Sequence, residues 1–248
     1  MKKLERKLSL SSVIAISVAG MLGSGIFVLP GIAAAKTGSS IWLAYLIAAI
    51  CILPAALSKS ELATAMPKSG GAYVYIERAL GPLFGTISGI GLWLSLLLKS
   101  SFALVGFGAY LLVLTNISPI YIKYFSVGFL ILIMFLNIFG VKKVGRVQLV
   151  IVILSLLTLI SILLLGLPSI DKQLLNPFMN NGTMGLISTV AFVYISYAGV
   201  TKIAAIAGEV KNPSKNIPLA MLLSLLVIST IYVTVAYTLV GNISIEML

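Results

Sequence analysis

The sequence predicts an all-α integral membrane fold of seven spans, two of them broken near mid-membrane. Three observations predict it. Hydrophobic residues make up 60% of the 248 residues and charged residues 9%, at a mean hydropathy of +1.15; a soluble domain carries about 25% charged residues. The basic residues gather in every second loop between apolar runs. Glycines and small polar residues interrupt the first and sixth of those runs. The composition excludes a water-soluble globule. There is no histidine and one cysteine, Cys51, which removes His-based acid–base chemistry, His or Cys-pair metal sites and internal disulfides. The six acidic residues are scattered, so neither a carboxylate-pair enzyme nor a resident metal or cofactor is expected. The net charge of +11 does not mark a nucleic-acid partner, because the basic residues sit at the ends of apolar runs and not on one soluble face.

A transmembrane helix needs about 20 largely apolar residues. The whole chain, residues 1–248, reads as one transmembrane domain. Its first span covers about 8–35. A basic Met1–Lys7 stretch precedes it, as in a signal peptide, but a secretory apolar core is about 7–15 residues long. The run is longer, and six spans follow, so it reads as a retained helix. Span two covers about 40–62 and holds Cys51, expected as a buried small hydrophobe. In the loop after it, Gly70-Gly71 lacks the Gly-Lys-Ser/Thr of a phosphate loop, and Tyr73 and Tyr75 are expected to anchor a short interfacial helix. Span three covers about 83–113, one long tilted helix with Lys99 inside it, because no turn signal flanks that lysine. Gly81, Gly85 and Gly89 at its start have the spacing of a packing ridge. Spans four to seven cover about 121–139, 147–167, 183–207 and 217–240.

Lys2, Lys3, Arg6, Lys7, Lys59, Lys68, Arg78, Lys142, Lys143, Arg146, Lys211 and Lys215 fall on one side of this arrangement, and only Lys36, Lys123 and Lys172 on the other. The positive-inside bias predicts a cytoplasmic N-terminus and a C-terminal end of this chain outside, in the cytoplasmic membrane.

Span one contains Gly20-Met21-Leu22-Gly23-Ser24-Gly25. Each glycine costs about 1 kcal/mol in a helix relative to alanine, and freed backbone groups inside a bilayer need partners. Close helix packing is the plain alternative for glycines alone. Span six is interrupted in the same way by Tyr194-Ile195-Ser196-Tyr197-Ala198-Gly199-Val200-Thr201-Lys202. The two spans are five helices apart, so they cross in opposite directions. Broken helices at matching positions of inverted halves point to a transporter's central site. Free N–H groups suit a carboxylate and free C=O groups an ammonium or cation.

Three motifs in order resemble the amino acid–polyamine–organocation permeases: Gly23-Ser24-Gly25-Ile26-Phe27 with Pro30-Gly31; Pro67 to Tyr75 closing at Gly81; and Glu209-Val-Lys-Asn212-Pro213 with Ile217-Pro218. The resemblance covers essentially the whole chain. It implies a LeuT-like inverted-repeat fold, with one complete five-helix repeat, two helices of the second, and helices 1 and 6 discontinuous. It also implies secondary active transport of amino acids by alternating access, as symport or antiport with H+ or Na+, or as exchange. Carried over, the substrate carboxylate meets the amides of Ser24 and Gly25, beside Gly23. Its ammonium meets the carbonyls of Met21, Ile195 and Ala198, with Gly199 and Thr201 adjoining. The aromatic gate expected just after the helix 6 glycine is replaced by Val200, leaving Tyr194 or Tyr197 as substitutes. Ser155 stands where several members place a lysine. Lys99 and Lys202 are ionisable groups within spans and so functional candidates; a structural partner for Lys99 and a snorkelling Lys202 are the alternatives. Glu209 is read either as part of an inner gate or as a solvated charge past the helix end.

The partners expected are a small amino acid, the lipid bilayer and the remaining helices of the family's fold, supplied by another chain or segment. A transporter of amines or polyamines is the nearest rival, although the span interiors offer no obvious carboxylate for it. A seven-helix receptor would usually place its N-terminus outside.

Overall fold

The computed structural model describes residues 6–68, 70–115, 118–138, 141–179 and 181–244. Lys2 and Lys3 of the charge pattern, and Phe139 at the end of the fourth span, lie outside the described residues. Ser9 opens helix α1 (Leu10–Met21), its hydroxyl accepting from the Ser12 N–H at 3.4 Å, as an N-cap does. The helix stops at Leu22, which turns extended, and Gly23 follows at φ 146°, ψ −141°. Only glycine takes that conformation without strain. The chain then rewinds as α2 (Ser24–Phe27) and α3 (Leu29–Thr37), the latter with Pro30 in its first turn, where a missing N–H costs nothing. Gly38, at φ 73°, separates α3 from α4 (Ile41–Ala65).

Helix α5 (Ala72–Leu80) is short and amphipathic, with glycines of positive φ at both ends, Gly71 and Gly81. Long α6 (Pro82–Thr115) follows, then α7 (Ile122–Ile138) and α8 (Val141–Gly166). Helix α9 (Gly182–Val193) continues without interruption as a 3-10 helix, Tyr194–Glu209, and α10 (Pro213–Asn242) closes the described chain. Among the described residues, five helical stretches are long and apolar enough to cross a bilayer: Leu29–Ala65, Pro82–Leu112, Val147–Ser169, Gly182–Glu209 and Pro213–Asn242. Leu10–Met21 and Ile122–Ile138 are shorter apolar helices. Apart from one isolated bridge between Leu8 and Val210, the regular elements among the described residues are all helical, and the fold is that of an all-α membrane protein.

The packed core lies between α1, α4, the 3-10 helix and α10. Val13, Met21, Tyr45, Ala48, Val200, Ile203, Ile228 and Tyr232 are buried there. A hydrogen bond of 2.8 Å joins Ser17 of α1 to Ser224 of α10, both buried. The chain start is tied to the end of helix 6 of the predicted spans, which is α9 with its 3-10 continuation (Gly182–Glu209), with Leu8 N–H donating to the Glu209 carbonyl and Lys211 N–H to the Leu8 carbonyl, each at 2.9 Å. Helix α5 docks on the same end, through Gly70 N–H to Ala205 O at 3.1 Å and Tyr75 Oη to Ala204 O at 3.3 Å.

Three expectations are corrected. Helix 6 is not unwound: at Tyr194 its winding tightens from α to 3-10 and continues, which keeps backbone pairs that a gap in lipid would orphan. Cys51 is exposed, not buried, because it falls outside the set of buried α4 positions that includes Ala44, Ala48, Ile52 and Ala56. Gly81 has open space around it and caps α5, while Gly85 and Gly89 do pack, against Glu77 and Tyr73.

Candidate functional site

The helix 1 break lies directly against helix 6. A Cβ added at Gly199 would collide with the Gly20 backbone, and one at Gly25 would stand 2.7 Å from the Ser196 Cβ. Both contacts need bare or small residues, which is the physical reason for the glycines on either side of the break. The Lys202 stem runs over Gly20, whose added Cβ would lie 2.9 Å from the lysine Cδ.

Three tyrosines from three elements surround the break from behind: Tyr45 of α4, Tyr197 of the 3-10 helix and Tyr232 of α10. All are buried. Their ring centroids are 5.4 to 6.4 Å apart, in edge and tilted arrangements that favour aromatic pairs. Each hydroxyl donates to a backbone carbonyl. Tyr232 bonds Met21 O at 2.8 Å, Tyr45 bonds Gly25 O at 2.6 Å, and Tyr197 bonds Tyr45 O at 3.0 Å. Ser196 Oγ adds a second donor to Gly25 O at 3.2 Å. The Met21 and Gly25 carbonyls, on either side of the break, therefore have donors inside the protein, as the low-dielectric setting favours.

The front of the break opens on a cavity of about 530 Å³ between α2, α6 and helix 6. Ser24, Gly25, Ile195 and Ser196 line it, with Ser95 and Lys99 of α6 opposite and Phe102 and Phe192 at its apolar walls. The amides of Ser24 and Gly25 precede the first bonds of α2, which run from Ile26 and Phe27 N–H to Gly23 O at 3.2 Å. A second cavity, of about 870 Å³, lies on the other side of Gly23, between α1, α6, α7 and α8, and Ser155, Asn137 and Gln148 reach it.

The sequence candidates divide accordingly. Ser24, Gly25, Ile195 and Lys99 meet at the first cavity, while Gly23 and Ser155 meet at the second. Met21 and Gly199 are buried in the contact between helices, and Ala198 O accepts from Thr201 Oγ1 at 2.9 Å. Val200 and Tyr197 are buried away from the cavity and Tyr194 is half-buried outside its lining. Lys202 is exposed. Glu209 is half-buried at the helix 6 exit. Sequence reasoning missed Ser95, Phe102, Phe192 and Ser196, which line the cavity, and the tyrosine cluster. The small-polar interruption of span six signalled Ser196. Ser95 and Phe102 lie one turn of helix to either side of Lys99, so a helical face drawn through that lysine would have reached them.

The break of helix 1, its contact with helix 6 and the three ordered motifs belong to an all-α membrane protein, and comparison with known proteins gives its family. The amino acid permease family model matches residues 8–248. The chain belongs to that family, within the amino acid–polyamine–organocation superfamily, and is a multi-pass membrane protein. It is similar to the branched-chain amino acid permease BcaP of Bacillus subtilis, 30% identical over 97% of this chain and 56% of that protein. It is also similar to two further Bacillus subtilis proteins, the methylthioribose transporter, at 26% identity over 97% of this chain and 56% of that protein, and the serine/threonine exchanger SteT, at 27% over the same shares. The chain spans about half the length of these relatives.

Proposed function

We propose that this chain forms the substrate-binding part of a secondary active transporter that moves amino acids across the cytoplasmic membrane by alternating access. The observation that carries the reading is the glycine break at Leu22–Gly23, seated on helix 6 and opening on a cavity that combines Ser24, Gly25, Ser196 and Lys99. The amides of Ser24 and Gly25 suit a carboxylate. Hydroxyls and the nearby carbonyl of Ile195 suit an ammonium. Because Met21 O and Gly25 O already accept tyrosine hydroxyls, Met21 acts behind the site and not in contact with the solute. The names of BcaP and SteT, a branched-chain permease and a serine/threonine exchanger, support amino acids as the substrate class.

Coupling to H+ or Na+, or exchange, would act through the second cavity, where Ser155 lies beside Gly23. The charge pattern supports a cytoplasmic N-terminus. The apolar faces that α6, α7 and α8 leave uncovered would meet lipid or the further helices that the longer relatives carry. Uptake of radiolabelled amino acids into proteoliposomes, with competition across the twenty, tests the reading. Saturable uptake with competition by a subset supports it; no competition by any amino acid ends it.

A further inference from the structure

Lys99 sits half-buried in the middle of α6, and it is the one charged side chain among the described residues that line the cavity beside the helix 1 break. The surrounding walls, among them Leu94, Phe102, Phe192 and Ile195, are apolar, and among the described residues the only other polar side chains in the lining are the hydroxyls of Ser24, Ser95 and Ser196. Among the described residues no carboxylate pairs with this lysine. A structural ion pair therefore does not account for its position.

We infer that Lys99 is the charge filter of this cavity: it admits solutes that carry a carboxylate and no net positive charge, and it rejects net cations. The inference rests on the proposed transport reading and names its substrate class. A zwitterion brings one carboxylate for the Lys99 ammonium and one ammonium that the serine hydroxyls can accept. An arginine, a lysine or a putrescine brings an additional positive charge into a space whose lining, among the described residues, offers no negative side chain. Two like charges about 6 Å apart at an effective dielectric of about 20 repel strongly enough to weaken binding by about 100-fold. The apolar walls act in the same direction, because they cannot solvate a second cation.

The test is competition against uptake of a neutral amino acid that the protein carries, in proteoliposomes, with wild type and the variants Lys99→Met, Lys99→Glu and Lys99→Arg. In wild type, citrulline should compete about 100-fold better than arginine, which has nearly its shape but one more positive charge, and putrescine should not compete. Lys99→Arg should keep that ratio, Lys99→Met should reduce it at least tenfold, and Lys99→Glu should let arginine compete. A lysine that merely supports the helix would change uptake without moving the ratio. Equal competition by arginine and citrulline in wild type overturns the inference without any variant having to fold, and an unchanged ratio in a folded Lys99→Met overturns it as well. If no amino acid competes in wild type, the transport reading itself has failed.

Discussion

In the most apolar stretches of α3–α4, helix 6 and α10, 44% of the residues are buried within the chain, against 6% in those of α6 and α8. Hydropathy does not explain the difference, since α8 has the highest value of all, 3.0. Where the helices of this chain do pack, small and hydroxyl side chains mark the contact. The buried face of α4 runs Ala44, Ala48, Ile52, Ala56, Ser60 and Ala63, and α10 presents Ala220 and Ser224. Small residues let backbones approach, and hydroxyls bond across helices, where lipid gives Leu against Leu no advantage. The exposed faces of α6 to α8 carry Leu, Ile, Phe and Trp instead, such as Trp93, Leu98, Phe135 and Leu154. The bundle is thus a fitted interior, and the arm is a surface that presents Lys99 to it.

The comparison can be broken first at its tightest point. Gly199→Ala would drive a methyl into the Gly20 backbone, and a backbone cannot step aside as a side chain can. We expect a loss at the upper end of the range for overpacking, about 3 kcal/mol, read as a large drop in melting temperature in detergent. Gly128→Ala on α7, where nothing lies within 4 Å, should be neutral or gain up to about 1 kcal/mol. Equal effects at the two glycines would contradict the division into bundle and arm.

Tyr232→Phe comes next. It strips the donor from the Met21 carbonyl in a buried setting, at a cost of about 1–3 kcal/mol, measurable by thermal unfolding. The Ser17–Ser224 pair should respond by about 1 kcal/mol to either single alanine replacement, and the double replacement should cost less than the sum, because the shared hydrogen bond is lost only once; strict additivity in that cycle would show that the hydrogen bond carries no coupling.

The smallest effect concerns α5, outside the spans. The Glu77 carboxylate, by hydrogen bond and by charge, holds the exposed Tyr73 phenol above its ordinary range. Glu77→Gln should therefore bring its ionisation to lower pH in an ultraviolet difference titration. No movement would mean that the two side chains do not meet in solution.

The sequence made the helical class, the break at Gly23 and the membership of the family legible, because apolar run length and glycine clustering are local signals. It misread helix 6. Gly199 and Ser196 look like breakers along the chain, but their smallness serves a contact with Gly20 and Gly25, some 170 residues away in sequence, and the helix tightens instead of opening. Tyr45, Tyr197 and Tyr232 carried no visible signal, because three single tyrosines on three spans become a cluster only when α4, helix 6 and α10 meet. Cys51 was misplaced for a related reason: apolar residues inside a span can face lipid as well as protein.

The most direct test of the central claim, that the helix 1 break opens on a solute-binding cavity, is protection of a cysteine placed there. With Cys51 replaced by alanine, Ser24→Cys and Ser95→Cys should react with a small thiol reagent in proteoliposomes, and a transported amino acid should slow both reactions in proportion to its occupancy, while Ser155→Cys in the second cavity keeps its rate. Equal rates at Ser24→Cys and Ser95→Cys with and without saturating amino acid would contradict the account.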